Sequence, residues 1–241
     1  MAFDEPIVAA PPKLPRNAVE KESHQRVIVV LDRASLDTTR LGSSKKRGDD
    51  KGGVRYALLS GEEHSNILRK MGKDPAESRP DITHQCLMTL LDSPLSKAGK
   101  LQIYIRTQRG ILIEVSPLTR IPRTYGRFSG LMVQLLHKLS VKSQASSEKL
   151  LNIIKNPIDQ HLPIRHIKIG FSSSGPVMKA RDFVGSLPAD QTPVIYIGAM
   201  AHGEDSFEGV EASISVSQYP LTASVACGKL CDAFEDLWGI L

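Results

Sequence analysis

An α/β architecture built on a mostly parallel sheet is what the sequence predicts, and three observations predict it. Apolar runs rich in Val and Ile, such as Val27 to Leu31 and "PVIYIGA" at 193 to 199, read as strands buried on both faces. Segments with apolar residues at i, i+3 and i+4 separate those runs and read as helices with one face to a core. Strand and helix keep alternating through the last third of the chain, the order that covers a parallel sheet with helices. The 241 residues suit one large domain or one domain with an appendage, without an internal repeat.

Taken in order, residues 1 to 22 are rich in Pro, Ala and charge and read as a disordered tail, with the domain spanning 23 to 241. "GSSKKRGDDKGG" at 42 to 53 follows the first strand as a basic, glycine-rich insertion. Its Lys45-Lys46-Arg47 run is either a nuclear-import signal or an exposed loop. Helices are expected from Gly61 to Lys70 and from Ile82 to Leu91. "LQIYIRTQRGILIEVS" at 101 to 116 is two strands around a turn that contains Gly110. Helices are expected again at 123 to 142 and at about 148 to 155. "HIKIGFS" at 166 to 172 and "SISVS" at 213 to 217 complete the strands, with a helix near 177 to 185 and another from about 221.

Charge narrows the function classes. The net charge of +5 conceals an asymmetry: residues 191 to 241 hold Lys229 against seven acidic residues, a net −6, so residues 1 to 190 carry +11. Between Ser96 and Ser143, nine Lys or Arg stand against Glu114 alone, a net +8. A one-sign field of this kind attracts a polyanion, and nucleic acid is the usual one. No apolar run reaches the roughly 18 residues of a membrane helix, and no hydrophobic leader opens the chain, so neither a membrane span nor secretion is expected. Cys86, Cys227 and Cys231 lack CxxC spacing and read as buried, inert thiols, and no metal site is expected.

Within the basic segment, "RIPRTYGRFSG" at 120 to 130 leads into a helix. On a helical wheel Phe128, Leu131, Met132, Leu135, Leu136 and Leu139 share one arc facing the core. Arg123, Arg127, Gln134, His137 and Lys138 fall opposite, and Pro122 suits the first turn. Arginines at a helix start oppose the macrodipole, so local helix stability does not account for them. A held phosphate and simple solvation both remain open as explanations.

A second candidate site lies near the C-terminus. "VIYIGAMAHGED" places Gly198 at a strand end and Gly203 five residues on, where a flat ligand can approach the backbone. "SVSQYPLTAS" at 215 to 224 is suited to hold an adenine against Val216, Pro220 and Leu221, and equally reads as an ordinary helix start. The first strand lacks GxGxxG, and no GxxxxGK[ST] occurs, which disfavours dehydrogenases and P-loop NTPases.

"SRPDITHQCLMTLLDSPLSKAGKLQIYI", "RGILIEVSP", "RIPRTYGRFSGLMVQLLHKLS", "IKNPIDQHLP", "IGAMAHG" and "SQYPLTASVACGKLCDAFEDLWGIL" together resemble the eukaryotic ribosome-biogenesis methyltransferases of the SPOUT superfamily, over residues 23 to 241. The resemblance implies an α/β-knot with a C-terminal trefoil knot, a homodimer, and S-adenosyl-L-methionine as cofactor. It implies methylation of N1 of a pseudouridine in small-subunit rRNA, among pre-ribosome proteins of the 40S subunit, in the nucleus and nucleolus. Phe171, Gly198, Gly203, Val216, Ser217, Gln218, Tyr219, Pro220 and Leu221 are then expected to line the cofactor pocket. Arg79, Asp81, Arg120, Arg123 and Arg127 are expected to contact RNA, with Asp81 and Arg79 as catalytic candidates. Asp81 stands before a helix, so its reading as a helix cap stays beside its reading as a base contact. Two rival functions stand beside methyl transfer: an RNA-binding assembly factor whose main role is non-catalytic, and a nicotinamide oxidoreductase.

Overall fold

The computed structural model describes residues 12, 13, 15, 17–41, 55–144, 147–203 and 206–241. Its elements run α1 (Ala18–Ser23), β1 (Val27–Ala34), β2 (Thr38–Leu41), β3 (Arg55–Leu58), α2 (Ser65–Lys70), α3 (Pro80–Asp92), α4 (Pro94–Lys97), β4 (Leu101–Thr107) and β5 (Leu112–Val115). They continue with α5 (Tyr125–Lys138), β6 (Ser140–Lys142), β7 (Lys149–Ile154), β8 (His166–Phe171), α6 (Ala180–Ser186), β9 (Thr192–Gly198), β10 (Ala212–Ile214) and α7 (Ala223–Trp238). One eight-stranded sheet has the order β10-β8-β9-β1-β4-β5-β7-β6, parallel from β10 to β4 and antiparallel beyond it. The expected α/β class with a largely parallel sheet is what the chain adopts.

β1 sits between β9 and β4, and Val27 to Leu31 have no solvent exposure. Side chains alternate across it: Val27, Val29 and Leu31 join a core with α3, α5, α6 and α7, while Ile28 and Val30 join a second core. That second core is closed by Ile158, Leu162 and Phe207. Both faces are therefore dry, which is why the strand reads as an uninterrupted apolar run.

Several elements differ from the sequence expectation. Residues 149–154 form a strand, because pairing with β5 and β6 on either side outweighs a helix-like apolar spacing. Leu151 and Ile153 serve one core and Ile154 the other, so the apolar doublets reflect a sheet covered on two faces. The helix expected to reach 142 ends at Lys138, where Leu139 turns left-handed (φ 63°) and stands 59% exposed instead of facing the core. Pro122 lies before the Thr124 N-cap, outside the helix. The helix expected from Gly61 begins at Ser65, and the β2–β3 hairpin around the insertion was not expected.

The boundary at residue 23 falls inside α1, which starts where Asn17 Oδ1 accepts from Glu20 N at 2.8 Å. Buried Arg26 ties this helix down, donating to the carbonyls of Lys21 and His24 and to Gln102 Oε1. The remaining tail to residue 11 and the basic insertion at 42 to 53 lie outside the described residues.

What shapes the C-terminal third is a backbone crossing. The segment 172–178 lies along the end of β10: Ser172 N donates to Ile214 O, continuing the β8–β10 ladder, and Ser215 N to Pro176 O with Met178 N to Ser215 O form a parallel bridge, at 2.8–2.9 Å. At the crossing a Cβ on Gly175 would lie 2.8 Å from Ile214 Cα and 2.9 Å from its N and C. Backbone meets backbone there, and only glycine permits it. Gly175→Ala should lower stability by about 1–3 kcal/mol, read as a melting temperature reduced by several degrees. An unchanged melting temperature would show that the crossing relaxes freely.

Candidate functional site

The carboxyl ends of β8, β9 and β10 converge because the chain steps from β8 to β9 and then returns across β8 to β10. A crevice at such a reversal is the usual ligand position in open α/β sheets. Here it is a cleft of about 420 Å³. Phe171, Ser172 and Ser173 follow β8; Gly198 and the 200–203 loop follow β9; Ile214 to Ser217, Tyr219 and Leu221 follow β10. The first turn of α7 and Arg79, Ile82 and Gln85 from the start of α3 complete the wall.

Of the nine pocket residues expected from sequence, Phe171, Gly198, Gly203, Val216, Ser217, Tyr219 and Leu221 line this cleft. Gln218 and Pro220 are exposed in the same segment and are not part of its lining. Ser217 also shapes the turn, since its Oγ accepts from Tyr219 N at 3.0 Å and its carbonyl accepts from Ser215 Oγ at 2.8 Å. Gly203 takes φ +123°, a conformation that side-chain-bearing residues rarely adopt. Sequence reasoning missed Met200, Ala201 and His202, although the two bracketing glycines marked the loop that holds them. Ile82 and Gln85 gave no signal, because only tertiary packing brings α3 to strands that start 81 or more residues further along, counted from Gln85 to His166.

The cleft loop is anchored from behind. Asp32, buried at the end of β1, accepts from Arg106 through both carboxylate oxygens, and its carbonyl accepts from Ala199 N at 2.7 Å. Arg106 also lies over the Tyr196 ring at 5.9 Å, and the carboxylate raises its guanidinium pKa through that hydrogen bond. Arg33, left-handed at φ 53°, donates to Ser206 O at 2.9 Å. The basic segment is therefore less free than its count of charges suggested. Arg106 is bound to Asp32, and Arg109 to Asp37 at 2.8 Å.

Arg79 and Asp81 form a two-point pair: Nε to Oδ1 at 2.8 Å and Nη2 to Oδ2 at 2.7 Å. The N-cap position belongs to Arg79, and Asp81 stands in the first turn of α3, so the cap reading of Asp81 does not hold. Hydrogen bonding from Arg79, against the opposing effect of burial, holds the Asp81 carboxyl below the usual carboxylate range. Arg120 and Arg127 are exposed, and Arg123 is 83% exposed with a 3.3 Å contact to Asp92. Thr124 caps α5 without a side-chain bond, and no acid stands in its first turn. The described residues contain no cluster of metal-ligating side chains and no helix long and apolar enough to cross a membrane.

Comparison with known proteins places these features in context. A family model described as EMG1/NEP1 methyltransferase matches residues 29–235. The ribosomal RNA small subunit methyltransferase NEP1 of Candida albicans is 54% identical over 218 residues, 90% of this chain and 80% of that protein. Its Homo sapiens namesake is 49% identical over 234 residues, 97% and 91% of the two chains. The crystal structure of Archaeoglobus fulgidus Nep1 bound to S-adenosylhomocysteine superposes with a TM-score of 0.70 at 24% identity, covering 89% of this chain and 100% of that one.

Because the folded Asp81 carboxyl is depressed, its contribution to stability is present above the unfolded value near 3.9 and is lost as pH falls through the folded pKa. Carbon-detected NMR titration should find Asp81 below about 3.9 in the native protein and shifted upward in Arg79→Ala. A native value at or above that level would remove Arg79 as the cause.

Proposed function

Because the chain belongs to the EMG1/NEP1 methyltransferase family, we propose that it transfers a methyl group from S-adenosylmethionine to N1 of a pseudouridine in small-subunit rRNA. One observation carries the reading. Arg79 lines the strand-end cleft and at the same time grips Asp81, so a cofactor-sized cleft and a polar pair able to hold a base edge share one wall.

The residues fit the cofactor. The cleft volume falls within the roughly 300–1,000 Å³ of small-molecule sites. Phe171, Ile197, Ile214, Val216 and Leu221 offer apolar surface to a purine, and Gly203 leaves the backbone accessible. Thr222 and Ser224 line the cleft at the start of α7, whose first-turn amides have no side-chain cap and suit a carboxylate.

When bound, S-adenosylmethionine supplies a methyl group activated on sulfonium sulfur. Pseudouridine presents N1 as an imide-like N–H, a poor nucleophile while protonated. Asp81, ionised and oriented by Arg79, accepts the N1–H hydrogen bond, aligns the nitrogen and draws the proton away from it as the N–C bond forms. A carboxylate with a depressed pKa acts here as a charged acceptor that passes the proton to solvent. Arg120, Arg123 and Arg127 hold phosphates on either side of the base, which must leave its stack to reach the cleft.

The crossing of residues 172–178 over β10 supports a C-terminal knot. Exposed Val225 and Leu237 on α7 support a homodimer. An rRNA substrate supports action in 40S biogenesis among pre-ribosome proteins, in the nucleus and nucleolus.

Methyl transfer to a pseudouridine-containing RNA loop, but not to its uridine twin, is the expected outcome. Cofactor binding without methylation of either RNA would overturn the enzyme reading in favour of a non-catalytic assembly factor. Arg123→Ala should weaken RNA binding and flatten its salt dependence while leaving cofactor affinity unchanged. Gly203→Ala should weaken S-adenosylmethionine binding about fivefold or more by straining the loop, with RNA affinity unaffected. Calorimetry that found equal cofactor affinity in that variant would remove Gly203 from the pocket.

A further inference from the structure

We infer that the exposed face of α5 continues the arginine clamp as a track for single-stranded RNA, ending on a stacking platform formed by Tyr56 and His137. The inference rests on the RNA-binding reading above and extends it to residues that reading does not use.

Two glycines point to the track. Gly126 and Gly130 stand inside α5, where each destabilises a helix by about a factor of five relative to alanine. Neither has a positive φ, and a Cβ at either position would meet nothing within 4 Å. No conformation and no neighbour among the described residues requires glycine there. A ligand lying close against the helix would account for both.

The exposed residues around those glycines form a stripe. Arg127, Gly130, Gln134, His137 and Lys138 are all exposed and, at 100° per residue, fall with Gly126 within an arc of about 120°, and exposed Arg123 stands just before the N-cap. From Tyr125 to Lys138 the helix rises about 20 Å, room for several nucleotides. The stripe therefore leads from the clamp to the far end of the helix.

At that end stands an aromatic pair. The Tyr56 ring leans on the His137 ring with centroids 4.1 Å apart, yet Tyr56 keeps 41% of its surface exposed. Two residues further along the same strand face, Leu58 is 1% exposed. Arg40 pairs across the hairpin with Tyr56, and Arg55 adjoins it. Both are exposed, and neither has a carboxylate partner among the described residues. Helix-dipole stabilisation accounts for Lys138 and His137 in the last turn, but not for an exposed tyrosine directly across the hairpin from an arginine that has no carboxylate partner among the described residues. An aromatic face beside cations is how proteins hold single-stranded nucleic acid without reading its sequence.

The test measures anisotropy of a labelled single-stranded RNA containing one pseudouridine, in a short form and in a form extended by several nucleotides on each side. Tyr56→Ala should weaken the extended RNA about five- to tenfold with no change in salt slope, because stacking neutralises no phosphate. Tyr56→Phe should restore binding, and Tyr56→Trp should show indole quenching when the extended RNA is added. Gly130→Gln should melt no lower than the native protein, since glutamine favours helix, yet bind the extended RNA more weakly. Arg123→Ala serves as the control. If it leaves RNA affinity unchanged, the clamp itself is wrong. If it weakens binding while the Tyr56 and Gly130 variants match the native protein, the track alone is overturned. A change of oligomeric state in Gly130→Gln would also overturn it, by showing that the face meets a second copy.

Discussion

The functional architecture depends on the contact between Gly175 and the backbone of Ile214. With no side chain between them, residues 172–178 pack against the end of β10, beside the strand ends that the sheet order already brings together. A Cβ of clearance at that point would separate the loops that line the cleft. The restriction is steric and local, but its consequence is the shape of the whole site.

A second layer of constraint fixes the loop after β9. Asp32 would be costly to bury unpaired, and Arg106 satisfies both its oxygens while Ala199 takes its carbonyl. Arg33 accepts a left-handed backbone and reaches Ser206. Non-glycine residues hold that conformation only where surrounding contacts outweigh its strain. The left-handed residue thus sits at the end of β1, next to the loop that walls the cleft. Rigid walls suit methyl transfer, because the rate of an in-line displacement depends on how narrowly the reacting atoms are held.

Local patterns made the parallel half of the sheet legible. A strand dry on both faces shows as an apolar run, and a helix over a sheet shows as an apolar stripe, so β1, β4, β8, β9, α3, α5 and α7 were all visible. Residues 149–154 were not, because in them two-faced burial imitates helical spacing and only the distant partners β5 and β6 decide between the two. The end of α5 was hidden for a related reason. Leu139 continues the apolar stripe, but the chain must reverse there to form β6. In the site, glycine-marked loops were legible, whereas Ile82, Gln85 and the crossing at Gly175 depend on packing that no local pattern encodes. The basic segment misled in one respect, because a sum of charges does not reveal which arginines are bound to buried carboxylates.

Sorting those arginines by partner gives the charge distribution its meaning. Arg106 faces a buried aspartate and serves the fold; Arg79 faces a half-exposed one at the cleft and serves the site; Arg120 and Arg127 face solvent. Among the described residues, Arg120 and Arg127 have no carboxylate partner, and their charge stays on the surface at the start of α5. Among the described residues, the one ion pair at the start of α5 is the exposed Arg123 contact with Asp92, which is weak in water. The unpaired arginines can exchange water for phosphate without disturbing the cleft behind them.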